Sequence, residues 1–294
     1  MVPNRLLHEA PWRSTLRRFR RAQLAAVRLA RWITEPQFAA YYASARPAIC
    51  PGTVRSPMVR SGAHPELERG KRHNVGLACT AIDGLALGPT RPFSFWRSVG
   101  PVNQQRGFIA GMELQAGCAV PTIGGGICLL SNGLYQLAAE LGWPILERHG
   151  HTAAVAAVDA LDATVAFPHV DLRFAPTAPV VLSAEVRGDV LVLAAWAAVA
   201  QTGSVTIERH VTPVGPAPTP VASLIVANMP QQHHVVISRV IHDGVSTRRE
   251  LLSAQTRRQL DATQPTCLSC DETTCDDGNR LLQRAGLQRD PMPK

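Results

Sequence analysis

The chain has 294 residues, long enough for one large domain or two modest ones with a substantial core. Its 46% hydrophobic and 18% charged residues exclude a disordered or fibrous class, and 23 Pro and 22 Gly against 5% aromatics predict a loop-rich α+β fold. The formal charge of +8 is concentrated in Arg5, Arg13, Arg17, Arg18, Arg20, Arg21, Arg28 and Arg31, so the charge balance does not mark the remainder as nucleic-acid-binding.

No stretch reaches the roughly 18 apolar residues of a membrane-crossing helix, and the N-terminus lacks a continuous apolar leader with a small-residue cleavage site. A cytoplasmic location is the resulting expectation. The seven cysteines are an odd number, better suited to reduced thiols and metal ligation than to a disulfide framework.

Residues 1–48 read as a basic helical arm in which Leu16, Phe19, Leu24, Val27 and Trp32 can share a rough face among the arginines. The arm either packs on the domain with a solvated cationic side or meets an anionic partner such as a membrane surface. Pro47, Pro51, Gly52 and Pro57 predict a linker. A core domain is expected over residues 49–213, with a buttressing helix at Glu66–Ile82, a strand at Phe93–Trp96, a loop and short helix around Gln104–Gly111, and a hairpin-like passage through Met112–Val120. Arg97 and Arg106 are cationic candidates for a substrate carboxylate, set against ordinary structural ion pairing.

The central stretch runs from Ile123 to Thr152. Gly124, Gly125 and Gly126 permit positive φ and close approach of backbone to a bound group, which makes them substrate-binding candidates. They lead into Cys128, after which Leu130, Leu134, Leu137, Ala138 and Leu141 trace one helical face until Gly142 and Pro144 end it. Cys128 would occupy the first turn, where unpaired N–H groups and the positive end of the helix dipole favour a thiolate. Beyond it, Pro144–His149 reads as a short strand, and His149 and His151 share parity, so either could serve as general base. The glycine run lacks the Lys and Ser/Thr of a phosphate-binding loop and the spacing of a dinucleotide fingerprint.

Asp162–Phe167 and Val170–Phe174 read as two strands broken by Pro168, Val180–Val186 and Val190–Ala197 as a clear hairpin, and Val205–Val211 as a further strand. Val214–Ala222 predicts a loop, followed by a second hairpin from His233–His242 and Val245–Leu252 within a C-terminal region of residues 214–294. Cysteine at a helix start, then histidine on a strand, then aspartate on the next, is the linear order of papain-like and transglutaminase-like enzymes. In such a site the thiolate attacks an acyl carbon, histidine transfers the proton, and aspartate orients the ring. Asp171 and Asp162 are both candidates for that third position. A second constellation, Cys267, Cys270 and Cys275, brings three thiols together, suited to structural zinc, an iron–sulfur cluster or redox chemistry. No organic cofactor is implied.

Four segments in this order, FSFWRSVGP (Phe93–Pro101), RGFIAGMEL (Arg106–Leu114), IGGGICLLSN (Ile123–Asn132) and ERHGHT (Glu147–Thr152), resemble the VanW family, named for an accessory protein of vancomycin-resistance clusters. The resemblance extends more loosely from about His64 to Cys275. It places His151 at the histidine of the family's ERxxHS-type motif and matches Asp171 and Asp162 to family segments. The family usually has Gln directly after the cysteine, where this chain has Leu129, so an oxyanion donor supplied by that Gln must come from elsewhere. Residues and resemblance together lead to the expectation of a cysteine-dependent enzyme performing acyl transfer or hydrolysing an amide or thioester. Its substrate would be a peptide or amino-acid conjugate, in antibiotic resistance or natural-product metabolism. The rivals are a non-catalytic module that binds a peptide or cell-wall fragment and a zinc-bearing adaptor.

Overall fold

The computed structural model describes residues 11–58, 65–115, 118–151, 153–155, 161–216 and 231–260. In chain order the elements are α1 (Pro11–Thr34), β1 (Ile49–Pro57), α2 (Pro65–Thr80), β2 (Ala86–Leu87), β3 (Phe93–Ser94), α3 (Phe95–Val99), β4 (Ala110–Gln115), β5 (Cys118–Ile123) and α4 (Cys128–Glu140). There follow β6 (Ile145–Glu147), β7 (Ala153–Val155), β8 (Arg173–Phe174), β9 (Val180–Arg187), β10 (Val190–Ala197), β11 (Ser204–Pro216), β12 (Gln231–His242) and β13 (Thr247–Leu260). The class is mixed helix and predominantly antiparallel sheet, compatible with α+β.

The main sheet has the order β1-β10-β9-β2 and is built on the hairpin that the sequence predicts, turning at Gly188. The Pro- and Gly-rich stretch expected to be a linker is instead β1, antiparallel to β10 from Ile49↔Ala197 to Pro57↔Val190. Prolines fit there because β1 is an edge strand, where a missing N–H need not interrupt a ladder, and the register shift between Ile49 and Gly52 absorbs Pro51. Gly52 also lets the strand approach α4, since a Cβ there would lie 2.9 Å from Leu141 Cδ2.

Helices α2 and α4 pack on this sheet. Pro65 opens α2 with Glu66 and Glu68 in its first turn, a pattern favoured by the fixed φ of proline and by the helix dipole. Leu67, Val75, Ala78 and Cys79 carry its buried face, and burial pushes the Cys79 thiol up to about 12. In α4 the stripe Leu130, Leu134, Leu137, Ala138 and Leu141 is buried as its spacing predicts, but Leu129, Ser131, Gly133 and Tyr135 are buried too. The helix lies inside the protein rather than on its surface, and Gly133 has no room for a Cβ against Leu193.

The strand expected at Phe93–Trp96 stops at Ser94, whose hydroxyl accepts a hydrogen bond from the Arg97 N–H and so caps α3. The two strands expected between Asp162 and Phe174 reduce to an isolated Ala166↔Val170 bridge and the short β8, which sits between β3 and β6. Asp162–Val165 is left as irregular backbone, free to follow the start of α4. The expected second hairpin is the pair β12/β13, longer than the hydrophobic pattern indicates because the pairing continues through polar residues to Gln232↔Arg258. With β11 and the parallel β7 it forms the sheet β11-β12-β13-β7.

Helix α1 is fastened at its C-terminal half. The Arg28 guanidinium is buried and donates to both carboxylate oxygens of Glu147, with Nη1 2.8 Å from Oε2, and to the His169 carbonyl. Trp32 packs on the main core and lies edge-on to Phe167.

Candidate active site

Three segments converge at the N-terminus of α4. The first is the turn Gly124–Gly126, which reverses the chain from β5 into the helix. Gly124 (φ 80°) and Gly126 (φ 94°) hold conformations costly for side-chain-bearing residues, and a Cβ at Gly125 would overlap the Gly111 carbonyl. The side chain of Asn74 on α2 stitches this turn to Ile109, the residue that leads into β4. It donates to Ile109 O (2.9 Å) and Gly125 O (3.1 Å), and it accepts from Ile109 N (2.9 Å). Val102 and Lys71 occupy the space beside Gly124 and Gly126, so the α-carbons of the triplet face protein atoms.

The second segment, Asp162–Val165, is clamped onto α4. Ser131 Oγ donates to Ala163 O (2.6 Å) and Asn132 Oδ1 accepts from Ala163 N (2.8 Å). The third, Glu147–His151, is tied to the second by the bond from Thr164 N to His149 O (2.7 Å).

This framework brings Cys128, His151 and Asp162 together. Cys128 is half-buried at the first residue of α4, its sulfur 4.0 Å from Thr164 Oγ1 and 3.9 Å from Val165 O. The His151 imidazole lies near enough to Cys128 to feel it electrostatically, and through Nδ1 it hydrogen-bonds to Asp162 Oδ2 at 2.6 Å. The same carboxylate oxygen accepts from the His151 backbone N–H at 2.8 Å. Burial works against a charged imidazole, but the hydrogen bond and negative charge of Asp162, with the influence of the nearby Cys128, outweigh it and take His151 up to about 9.

Asp162 is itself buried. Burial alone would raise it, yet the His151 bond and the Arg257 guanidinium hold it down at about 2. Arg148 donates through Nη2 to Oδ1 (2.6 Å) and through Nε to the Asp162 carbonyl (2.7 Å), and Arg257 Nη2 donates to the same Oδ1. Arg257 comes from β13, with neighbours that also grip the site: Ser253 Oγ meets Arg148 Nη1 at 3.1 Å and Gln255 donates to His151 O at 3.3 Å.

The other candidates lie apart from this constellation. His149 is half exposed and pairs with Glu147 at 3.3 Å. Asp171 is fully buried and accepts from Ser94 Oγ (2.6 Å), Trp96 N (3.1 Å) and Leu172 N (2.9 Å), a fold-holding role at the start of α3. Burial above all raises Asp171 to about 6. Arg97 donates to the carbonyls of Trp32 and Glu35, and Arg106 to those of Val99 and Pro101. Both arginines are thus engaged in holding loops. The Cys267, Cys270 and Cys275 cluster lies outside the described residues, and among the described residues no group of three or more His, Cys, Asp or Glu is placed to hold a metal.

The sequence pattern does not disclose Asn74, Arg148, Thr164 or Arg257 as parts of the site. Thr164 and Arg148 adjoin singled-out residues, but the contacts of Asn74 and Arg257 span 51 and 95 positions, and no local spacing encodes them.

Residues 70–196 match the family model described as VanW like protein. Over 107 residues the chain is 33% identical to the uncharacterized protein YoaR of Bacillus subtilis (strain 168), covering 36% of this chain and 35% of that protein. Over 112 residues it is 28% identical to the vancomycin B-type resistance protein VanW of Enterococcus faecalis (strain ATCC 700802 / V583), covering 36% of this chain and 41% of that protein. The match thus spans well under half the length of either relative. No solved structure matches significantly. The matched segment contains Asn74, the glycine turn, Cys128, His151 and Asp162 but ends before Arg257, so the similarity to the VanW-like family is a property of residues 70–196.

Proposed function

We propose that Cys128 is the nucleophile of an acyl-transfer or amide- or thioester-hydrolysing reaction, with His151 as its acid–base partner and Asp162 as the group that orients the imidazole. The observation that carries this reading is the convergence of the half-buried Cys128 at the head of α4 with His151, whose ring is held by a buried, doubly arginine-paired Asp162. An imidazole held charged beside a sulfur favours the thiolate, the reactive form. Sγ attacks the acyl carbon, the carbonyl π electrons move to oxygen, and collapse of the tetrahedral adduct expels the amine or thiol, which takes its proton from His151. In hydrolysis, water then gives a proton to His151 and its oxygen to the acyl carbon, releasing Cys128; in transfer, an amine or thiol acceptor replaces water.

The Leu129 N–H is already bonded to Gly126 O at 3.0 Å. The donor for the developing oxyanion is therefore the Cys128 N–H at the first residue of the helix, assisted by the Thr164 hydroxyl beside the sulfur. This supplies the role that Gln would have at position 129, where Leu129 is turned into the core. The substrate class is a peptide or amino-acid conjugate, and the antibiotic-resistance setting rests on the description of one relative.

Exposure of the protein to p-nitrophenyl acetate, followed by peptide mass mapping, tests the reading. Cys128 is expected to acquire an acetyl group well before the exposed Cys50 and to lose it again to water, and His151→Ala is expected to suppress both steps. Acylation of Cys50 at the same rate as Cys128, or a Cys128 adduct insensitive to His151→Ala, would leave Cys128 as a packing residue in a binding module.

A further inference from the structure

The solvent side of α1 is the largest feature that this chemistry leaves unused. An amphipathic helix on a folded domain ordinarily turns its apolar stripe inward. Among the described side chains of α1 the half-buried or buried positions are Ala25, Arg28 and Trp32, and the arrangement is fixed by the Arg28–Glu147 ion pair. The apolar residues Phe19, Ala22, Ala26, Leu29, Ala30 and Ile33, spaced at three, four, three, one and three, share one face of the helix and point to water. Phe19 is 70% exposed and Ile33 is 83% exposed.

We propose that this face is a docking surface for an anionic lipid bilayer, with α1 lying in the headgroup plane while the domain stays in water. Charge selects this occupant. Pro11–Thr34 contains seven arginines, Arg13, Arg17, Arg18, Arg20, Arg21, Arg28 and Arg31, and no acidic residue, and Arg28 is matched to Glu147. A second copy of the helix would set arginines against arginines with no acidic residue on either helix. A nucleic acid would use the arginines but leave Phe19, Leu29 and Ile33 in water. A bilayer surface with anionic headgroups satisfies both: the apolar stripe sinks to the acyl boundary, and exposed arginines such as Arg20 and Arg31 reach lipid phosphates on flexible stems. No helix among the described residues is long and apolar enough to cross a membrane.

The test is flotation of the purified full-length protein with vesicles of phosphatidylcholine alone or with 30% phosphatidylglycerol. The expected result is at least tenfold greater binding to the anionic vesicles, weakened by added salt. It should be lost in Phe19→Ser/Ile33→Ser and, separately, in Arg20→Glu/Arg31→Glu, with the thermal melt unchanged because all four side chains lie in solvent. Equal or absent binding to both vesicle types overturns the proposal. So does undiminished binding by the Phe19/Ile33 variant. Self-association in analytical ultracentrifugation that this variant abolishes, without vesicle binding, assigns the face to a second copy, and salt-sensitive duplex DNA binding without vesicle binding assigns the arginines to nucleic acid.

Discussion

Asp162→Ala is expected to cost about 3–5 kcal/mol of folding stability, the range for removing one partner of a buried ion pair, and to lower Tm by on the order of 10 °C. The size follows from what the carboxylate holds. Arg257 has 2% of its side chain exposed and Arg148 has 10%, and both donate to Oδ1, while Oδ2 serves the backbone and ring of His151. Alanine leaves two buried guanidinium groups without that counter-charge and frees the loop that carries the imidazole. Asp162→Asn should cost less, because an amide oxygen still accepts, but its NH2 group cannot serve every donor now around the carboxylate.

The pH dependence has a defined sign at each end. Asp162 is lowered in the folded state to about 2 from 3.8, so its contribution is present above pH 3.8 and is lost as pH falls through about 2. His151 is raised to about 9 from 6.5, so its contribution is complete below pH 6.5 and is lost as pH rises through about 9. Thermal melts of the wild type should therefore show both flanks. Those of Asp162→Ala should lose the acid flank and have a much reduced alkaline one, since the ring loses its principal carboxylate. Two intact flanks would assign the pH dependence to other groups.

Arg257→Leu is expected to cost about 2–4 kcal/mol, as another broken buried pair with one remaining partner. The counter-charge that Arg257 supplies helps to hold Asp162 down, so the acid flank should move to higher pH in the variant. Because Arg257 and Asp162 act on one another directly, Arg257→Leu/Asp162→Asn should be more stable than the sum of the single effects by 1 kcal/mol or more, measured by urea unfolding. Simple additivity would mean that β13 only covers the site. Coupling would make the C-terminal sheet part of the site, although it lies beyond the region matched by the family model.

The elements that sequence reveals are those whose reasons are local. The α4 stripe, the Arg187–Asp189 turn and the Pro65 start of α2 each carry the cause of their structure within a few residues. The parity of His149 and His151 brings forward two bases, but parity cannot choose between them. The choice depends on Ser131 and Asn132 drawing Ala163 onto α4, which delivers Asp162 to His151, while Glu147 takes His149. Asp171 attracts notice in the sequence for the same chemical reason as Asp162, yet its surroundings are the Ser94 hydroxyl and the Trp96 N–H, set by the β3–β8 pairing. The stretch around Pro51 reads as a linker because proline and glycine usually break structure, and it becomes a strand because its partner β10 leaves it at the sheet edge. Arg28 reads as part of the basic arm and Arg257 carries no local signal, and the burial of each depends on carboxylates 119 and 95 residues away.

The central claim is that His151 activates Cys128, and the most direct measurement is the rate of Cys128 alkylation by iodoacetamide from pH 5 to pH 10, followed by peptide mass mapping in the wild type and in His151→Ala. With the imidazole charged up to about 9, His151→Ala should label Cys128 at least tenfold more slowly than the wild type at pH 6, and the gap should close as pH rises through about 9. Superimposable profiles for the two proteins would contradict the account and leave Cys128 as a half-buried structural thiol at the head of α4.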